Sequence, residues 1–149
     1  MRYLRKRLRE LLLEGVTPEA IALSLSAGVV LGVFPALGWT TLLCAGAAWT
    51  FRLNLPAIQL VNYVTYPLQL ALLIPFIRSG EWLFGVPHMA VSVESIMSMI
   101  QSNVAQAIAA LWWTTMRAIV AWLLVGPVTG LAIYSASLPF LRRMAGRTT

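Results

Sequence analysis

AIALSLSAGVVLGVFPALGWTTLLCAGAAWTFRLNLPAIQLVNYVTYPLQLALLIPFIR, residues 20–78, carries two aromatic–proline dipeptides, Phe34-Pro35 and Tyr66-Pro67, and one charge, Arg52, before its closing Arg78. The stretch is apolar enough to lie in a bilayer, yet each half is interrupted near its middle. Backbone groups freed inside hydrocarbon find no water, so such breaks are costly unless protein partners satisfy them or they line a cavity. This stretch is therefore the first place to look for function.

The composition of the whole chain supports a membrane setting. Its 149 residues are the length of one domain. They are 59% hydrophobic and only 11% charged, where a soluble domain carries roughly a quarter charged residues. There is too little polar surface to coat such a chain, so lipid must face much of it. The net charge of +6 does not point to nucleic acid, because of where it sits. Basic residues cluster at positions 2–9 and again at 142, 143 and 147, and the apolar middle holds only Arg52, Arg78 and Arg117. Charge at both ends of an apolar body reads as anchoring at an anionic membrane surface. Cys44 is the sole cysteine, so no internal disulfide can form. His88 is the sole histidine and falls in the loop-like GVPHMAVS run, with no metal-ligand spacing around it. The expectation is no metal and no cofactor.

Working outward from the opening stretch, Thr17-Pro18-Glu19 starts a helix: Thr17 can cap, Pro18 suits the first turn and Glu19 complements the dipole. Ala20, Ser24, Gly28, Gly32 and Ala36 recur every fourth residue, a ridge of small side chains that lets a second helix approach closely. Pro35 and Gly38 break the run. A second apolar segment follows and ends at Arg52, so residues 17–52 read as a tight helical hairpin with both ends at the basic face. Pro56, Pro67 and Arg78 repeat the order proline, aromatic–proline, arginine in a second unit, residues 54–85. Pro67 makes that unit either one kinked crossing or a re-entrant hairpin. Paired broken segments point to a membrane binding site.

The second unit is also the more polar. Gln59, Asn62 and Tyr66 share a helical face, with Gln69 beyond them, and Arg52 and Asn54 stand at its entrance. Amides in lipid should face protein or water. They either bond carbonyls freed at Pro67 or form a substrate-binding set of Arg52, Asn54, Gln59, Asn62, Tyr66 and Gln69. Arg78 and Glu81 form an i,i+3 pair at an interface beside Trp82.

The flanks complete the layout. Residues 1–15 form a basic amphipathic helix: Leu4, Leu8, Leu11 and Leu12 make its apolar side, while Arg2, Arg5, Lys6 and Arg9 suit anionic lipid of the cytoplasmic leaflet. Ser92 and Glu94 start an amphipathic helix over 92–116, whose stripe runs from Val93 through Ile96, Ile100 and Val104 to Leu111. Trp112, Trp113 and Arg117 mark an interface. Residues 117–142 are the clearest transmembrane helix, with Gly126 and Gly130 on one packing face and a kink site at Pro127. A basic tail, 143–149, follows. With both ends positive, both termini are expected in the cytoplasm, which requires an even number of crossings.

Gly28 and Gly32, Phe34-Pro35-x-x-Gly38, Thr41, Arg52-x-Asn54 with Leu55-Pro56-Ala57, the Asn-containing segment ending in Pro67, and Gly80 and Gly85 together resemble DUF2062, a family of small prokaryotic membrane proteins. The resemblance covers Thr17 to Gly85. Many members carry Asn-Pro where this chain has Tyr66-Pro67, so any role of that asparagine is absent here or moves to Asn62. The family brings no catalytic residues. Fusion of some members to glycosyltransferase domains implies a setting in envelope glycan or lipid synthesis.

The fold class expected is all-α: a polytopic membrane protein of Pro-broken or re-entrant hairpins plus a C-terminal transmembrane helix in the prokaryotic inner membrane. An enzyme is not expected, because the apolar region holds no paired carboxylates and no nucleophile–base set. Two functions compete. The first is a transporter or flippase-like protein for an anionic or lipid-linked substrate. Arg52 steers the anion, the amides bond it, and helix N-termini after Pro35 and Pro67 attract it. The second is a non-catalytic scaffold that docks a second copy or an envelope-synthesis enzyme through its small-residue ridges. Transport stands first here, because packing alone does not demand two central breaks.

Overall fold

In the computed structural model residues 17–89 and 92–145 are described, and every regular element among them is a helix. They are α1 (Pro18–Gly32), α2 (Thr40–Phe51), α3 (Leu55–Phe84), α4 (Val93–Ser102) and α5 (Val104–Ala145). The basic helix expected over 1–15, with Arg2, Arg5, Lys6 and Arg9, lies outside the described residues, as does most of the 143–149 tail.

Local chemistry sets the boundaries. Thr17 Oγ1 accepts the Ala20 amide at 3.2 Å, and Pro18 opens α1. Asn54 caps α3, its Oδ1 accepting the Ala57 amide at 2.9 Å just ahead of Pro56. Helix α2 ends in Arg52 at φ 52°, and α3 ends in Gly85 at φ 61°. In both, the next amide reaches back across the cap, Leu53 N to Ala48 O at 2.9 Å and Val86 N to Glu81 O at 3.1 Å. This is the usual left-handed helix stop.

Two expectations need correction. The first concerns Tyr66-Pro67: α3 runs unbroken from Leu55 to Phe84 with Pro67 and Pro75 inside it, so the second unit has no central break. The residues after Pro67 (Leu68-Gln69-Leu70-Ala71-Leu72-Leu73) are strong helix formers, and no glycine follows before Gly80 to let the chain turn. The second concerns the C-terminal half, where the chain divides at Asn103 and not at 116. Asn103 is extended (φ −162°) and its Oδ1 accepts the Gln106 amide at 3.2 Å, starting the 42-residue α5. The apolar stripe from Val93 to Leu111 conceals that boundary, because its spacing continues through it.

Helices α1, α3 and α5 pack pairwise, α2 folds back onto α1 and α3, and α4 packs on α5. Contacts are close where side chains are small. An added Cβ at Gly28 would lie 2.8 Å from Val61 Cβ, and one at Gly32 would lie 3.1 Å from Thr65 Cβ, so these glycines seat α1 on α3. Gly126 and Gly130 face Val30 on α1, and Ser26 donates to the Gly130 carbonyl at 2.6 Å. The tightest approach is at Gly80, where a Cβ would meet the Arg117 backbone at 2.6 Å.

The buried set mixes small apolar residues with polar ones, and many large apolar side chains stand outside. Ser24, Ser26, Asn62, Thr65, Gln69 and Glu81 are buried, while Trp49, Val64, Val128 and Leu131 are exposed. Helices α3 and α5 are each long and apolar enough to cross a membrane.

Candidate functional site

Side chains from α3 and α5 converge on the elbow at residues 33–39, between α1 and α2. Phe34 donates its amide to Leu31 O at 3.2 Å, three residues back, so the Val30 carbonyl loses its helical partner. Pro35 has no amide to offer, and Gly38 turns the chain at φ 87°. Carbonyls freed where the chain is shielded from water need donors. Trp122 on α5 supplies one: its Nε1 donates to Val30 O at 2.9 Å. Gln69 on α3 supplies another: its Nε2 donates to Phe34 O at 2.8 Å, alongside the Ala36 amide at 2.8 Å. The Phe34 ring meets the Trp122 ring edge to face, centroids 5.0 Å apart and planes at 88°. Such a pair is favoured by the ring quadrupoles.

The other amides hold the start of α2. Gln59 Nε2 donates to Thr41 O at 3.0 Å. Asn62 Nδ2 donates to Gln59 Oε1 at 3.3 Å and reaches Thr41 Oγ1 at 3.5 Å. The buried face of the first half of α3 is Ile58, Asn62, Thr65 and Gln69. Tyr66, expected on that face, is half exposed and outside the cluster. Of the six residues proposed as a substrate set, Gln59, Asn62 and Gln69 come together around the elbow. Asn54 is a helix cap whose amide donates to Ser24 Oγ at 3.2 Å, and Arg52 stands exposed at the end of α2. Among the described residues no buried side-chain nitrogen or oxygen lacks a partner.

A second polar cluster lies at the far end of α3. The Glu81 carboxylate, 2% exposed, accepts from Arg78 Nη1 at 2.9 Å and from the Met89 amide at 2.8 Å, and lies 2.8 Å from His88 Nδ1. The i,i+3 spacing identifies the Arg78 pair in advance. His88 and Met89 join it only because the chain turns back after Gly85. At the opposite end of the fold, Arg142 Nη2 meets Glu19 Oε1 at 2.7 Å and ties α5 to the first turn of α1.

Two apolar hollows flank the elbow. One, of about 830 Å³, lies between α1, α2 and α5 and is lined by Leu23, Val30, Leu43, Phe51, Leu131 and Tyr134 among others. The other, of about 730 Å³, lies beside Phe34, Trp39 and Trp112. Neither presents a convergent set of polar groups of the kind that fixes a polar ligand. Among the described residues no group of three or more His, Cys, Asp or Glu side chains is placed to hold a metal.

No curated protein and no solved structure matches the chain. A family match does exist, and it extends past the Thr17–Gly85 stretch that carries the resemblance to cover residues 1–149. The chain therefore belongs to DUF2062, the family described as uncharacterised proteins conserved in bacteria.

Proposed function

We propose that the chain is a polytopic protein of the bacterial inner membrane that acts as a non-catalytic scaffold. One observation carries the scaffold reading. The amides that would have bound a substrate, Asn62 and Gln69, are 3% and 1% exposed and already bonded to Gln59, Thr41 and Phe34. Gln69 and Trp122 serve carbonyls freed at the elbow, and among the described residues no buried side-chain nitrogen or oxygen is left without a partner to face a path. Transport of an anionic or lipid-linked substrate would require both amides to leave these partners.

The membrane placement draws on the exposed apolar sides of α3 and α5. Core helices of a soluble protein would hide them. With Glu19, Arg52 and Arg142 at one face, the α1–α2 hairpin enters and returns, α3 crosses outward and α5 crosses back. Two crossings and one re-entrant hairpin put both ends of the described chain on the basic, cytoplasmic side. At ~1.5 Å per residue α1 is about 22 Å long, short of a ~30 Å hydrocarbon core, whereas α3 at about 45 Å exceeds it. On this reading the scaffold offers its exposed helix faces to a second copy or to an enzyme of envelope glycan or lipid synthesis.

Accessibility of the elbow tests the reading. In a Cys44→Ala background, single cysteines at Ala36 and Thr65 are treated with a membrane-impermeant thiol reagent from each side of sealed membranes. Protection from both sides, with an end position still labelled, is the expected result. Labelling at either site would reveal a water-filled path and return the assignment to transport. In mild detergent the protein should elute as an oligomer or with a partner, and a lone monomer would overturn the scaffold.

A further inference from the structure

The hollow between α1, α2 and α5 has a direction. Along α1 its lining runs from Leu23 to Leu31, along α2 from Phe51 back to Leu43, and along α5 from Tyr134 back to Gly126. Each run covers nine residues, a rise of roughly 12 Å of helix from first to last. Because α2 and α5 run opposite to α1, Leu23, Phe51 and Tyr134 lie together at one end, near the Glu19–Arg142 pair. The inner end lies beneath the elbow. A depth of about 12 Å is close to half of a ~30 Å hydrocarbon core, the thickness of one leaflet. Leu23, Phe51 and Leu131 on the lining are exposed at 40%, 65% and 68%, so the groove opens sideways along the protein.

Its mouth is basic. Arg52 stands between two lining residues, Phe51 and Leu53. It occupies the left-handed position at φ 52° that costs an ordinary side chain energy, whereas the equivalent stop at the end of α3 uses glycine. Its side chain makes no hydrogen bond or ion pair among the described residues, and neither does that of Arg143. The carboxylate at this end, Glu19, is paired with Arg142. The mouth therefore offers, among the described residues, guanidinium charge without a carboxylate partner beside an apolar slot. A guanidinium matches phosphate geometry through paired donors.

We propose that this groove is a binding site for one anionic phospholipid of the leaflet at the arginine end. An acyl chain lies against Leu23, Val30, Leu43 and Leu131, and the headgroup phosphate sits at Arg52. The proposal uses the membrane placement argued above and is independent of the scaffold role.

Native mass spectrometry of the full chain released from detergent micelles tests it. The micelles contain palmitoyl-oleoyl phosphatidylglycerol or phosphatidylcholine with the same acyl chains. The wild type should retain one phosphatidylglycerol in preference to phosphatidylcholine. Arg52→Gly relieves the left-handed cap, so it should keep or raise thermal stability while the headgroup preference falls roughly fivefold, the effect of one basic residue at an anionic surface. Ala47→Phe, which fills the groove wall, should reduce retention of both lipids. An undiminished preference in Arg52→Gly overturns the site. So does a lipid-free dimer that Ala47→Phe disrupts, since a second copy would then fill the groove. Extraction of the protein from cell membranes by alkaline carbonate would remove the membrane placement itself, a failure visible before any lipid is added.

Discussion

Phe34-Pro35 and Tyr66-Pro67 are the same kind of dipeptide in chemically similar apolar runs, and they have opposite fates. At the first the helix ends and the chain turns back. At the second the helix continues for seventeen residues beyond Pro67, to Phe84. Proline removes one donor in both places, so it does not decide the outcome by itself. The first site has Gly32 and Gly38 around it and receives side-chain donors from two other helices, Gln69 and Trp122. The second is followed by helix formers, and Thr65 beside it bonds back to the Val61 carbonyl at 2.7 Å within its own helix. A break is stable where the rest of the fold brings donors to it, and a proline without them remains a helix residue.

The comparison can be broken most severely at Trp122. Trp122→Ala removes the donor to Val30 O and the ring under Phe34, and should cost about 3–5 kcal/mol in a detergent melting assay. Trp122→Phe retains most of the packing and should cost less, on the order of 1–3 kcal/mol, the penalty for a buried carbonyl left without its donor. Equal losses in the two variants would mean that packing alone holds the elbow.

The two prolines give a sharper contrast. Pro67→Ala restores an amide for the Tyr63 carbonyl and should raise stability, by up to ~3 kcal/mol. Pro35→Ala should bring no gain, because the Leu31 carbonyl already accepts Phe34 and the chain turns at that point. A gain at Pro35 matching that at Pro67 would show that the elbow is not a preferred stop.

The smallest effects come from two glycines in the hairpin. Gly38→Ala should cost about 1–2 kcal/mol, because φ 87° disfavours a side chain even though nothing lies within 4 Å. Gly46, equally open but helical, should accept alanine with a gain of roughly 0.5–1 kcal/mol. Similar melting temperatures for the two variants would remove the backbone argument for the turn.

Several of these features are readable from the chain alone. Pro35 with Gly38 announces the turn, the four-residue spacing of Ser24, Gly28 and Gly32 announces a packed ridge, and Thr17 announces a helix start. Asn54 ahead of Pro56 carries a comparable start signal, although its apparent polarity suggested a ligand contact. The remainder depends on separation in sequence. Nothing near Gln69 indicates that its partner is a carbonyl 35 residues earlier, and nothing near Gly80 indicates that the α5 backbone lies against it. Local pattern also misled at Pro67 and at Asn103. At Pro67 a local break signal falls where the helix continues, and at Asn103 a periodic apolar signal runs through the point where the helix ends.

The hydrogen bond from Trp122 to Val30 joins residues 92 positions apart. Synthesis proceeds at ~5–20 residues per second, so the hairpin's donor emerges roughly 5 to 18 s after the carbonyl it serves. During that interval the nascent N-terminal hairpin has an open acceptor and cannot settle into its final bonding. Helix α5 thus seals α1 well after α1 has been made, and a ribosome that stalls before Trp122 leaves a hairpin whose Val30 carbonyl lacks this donor.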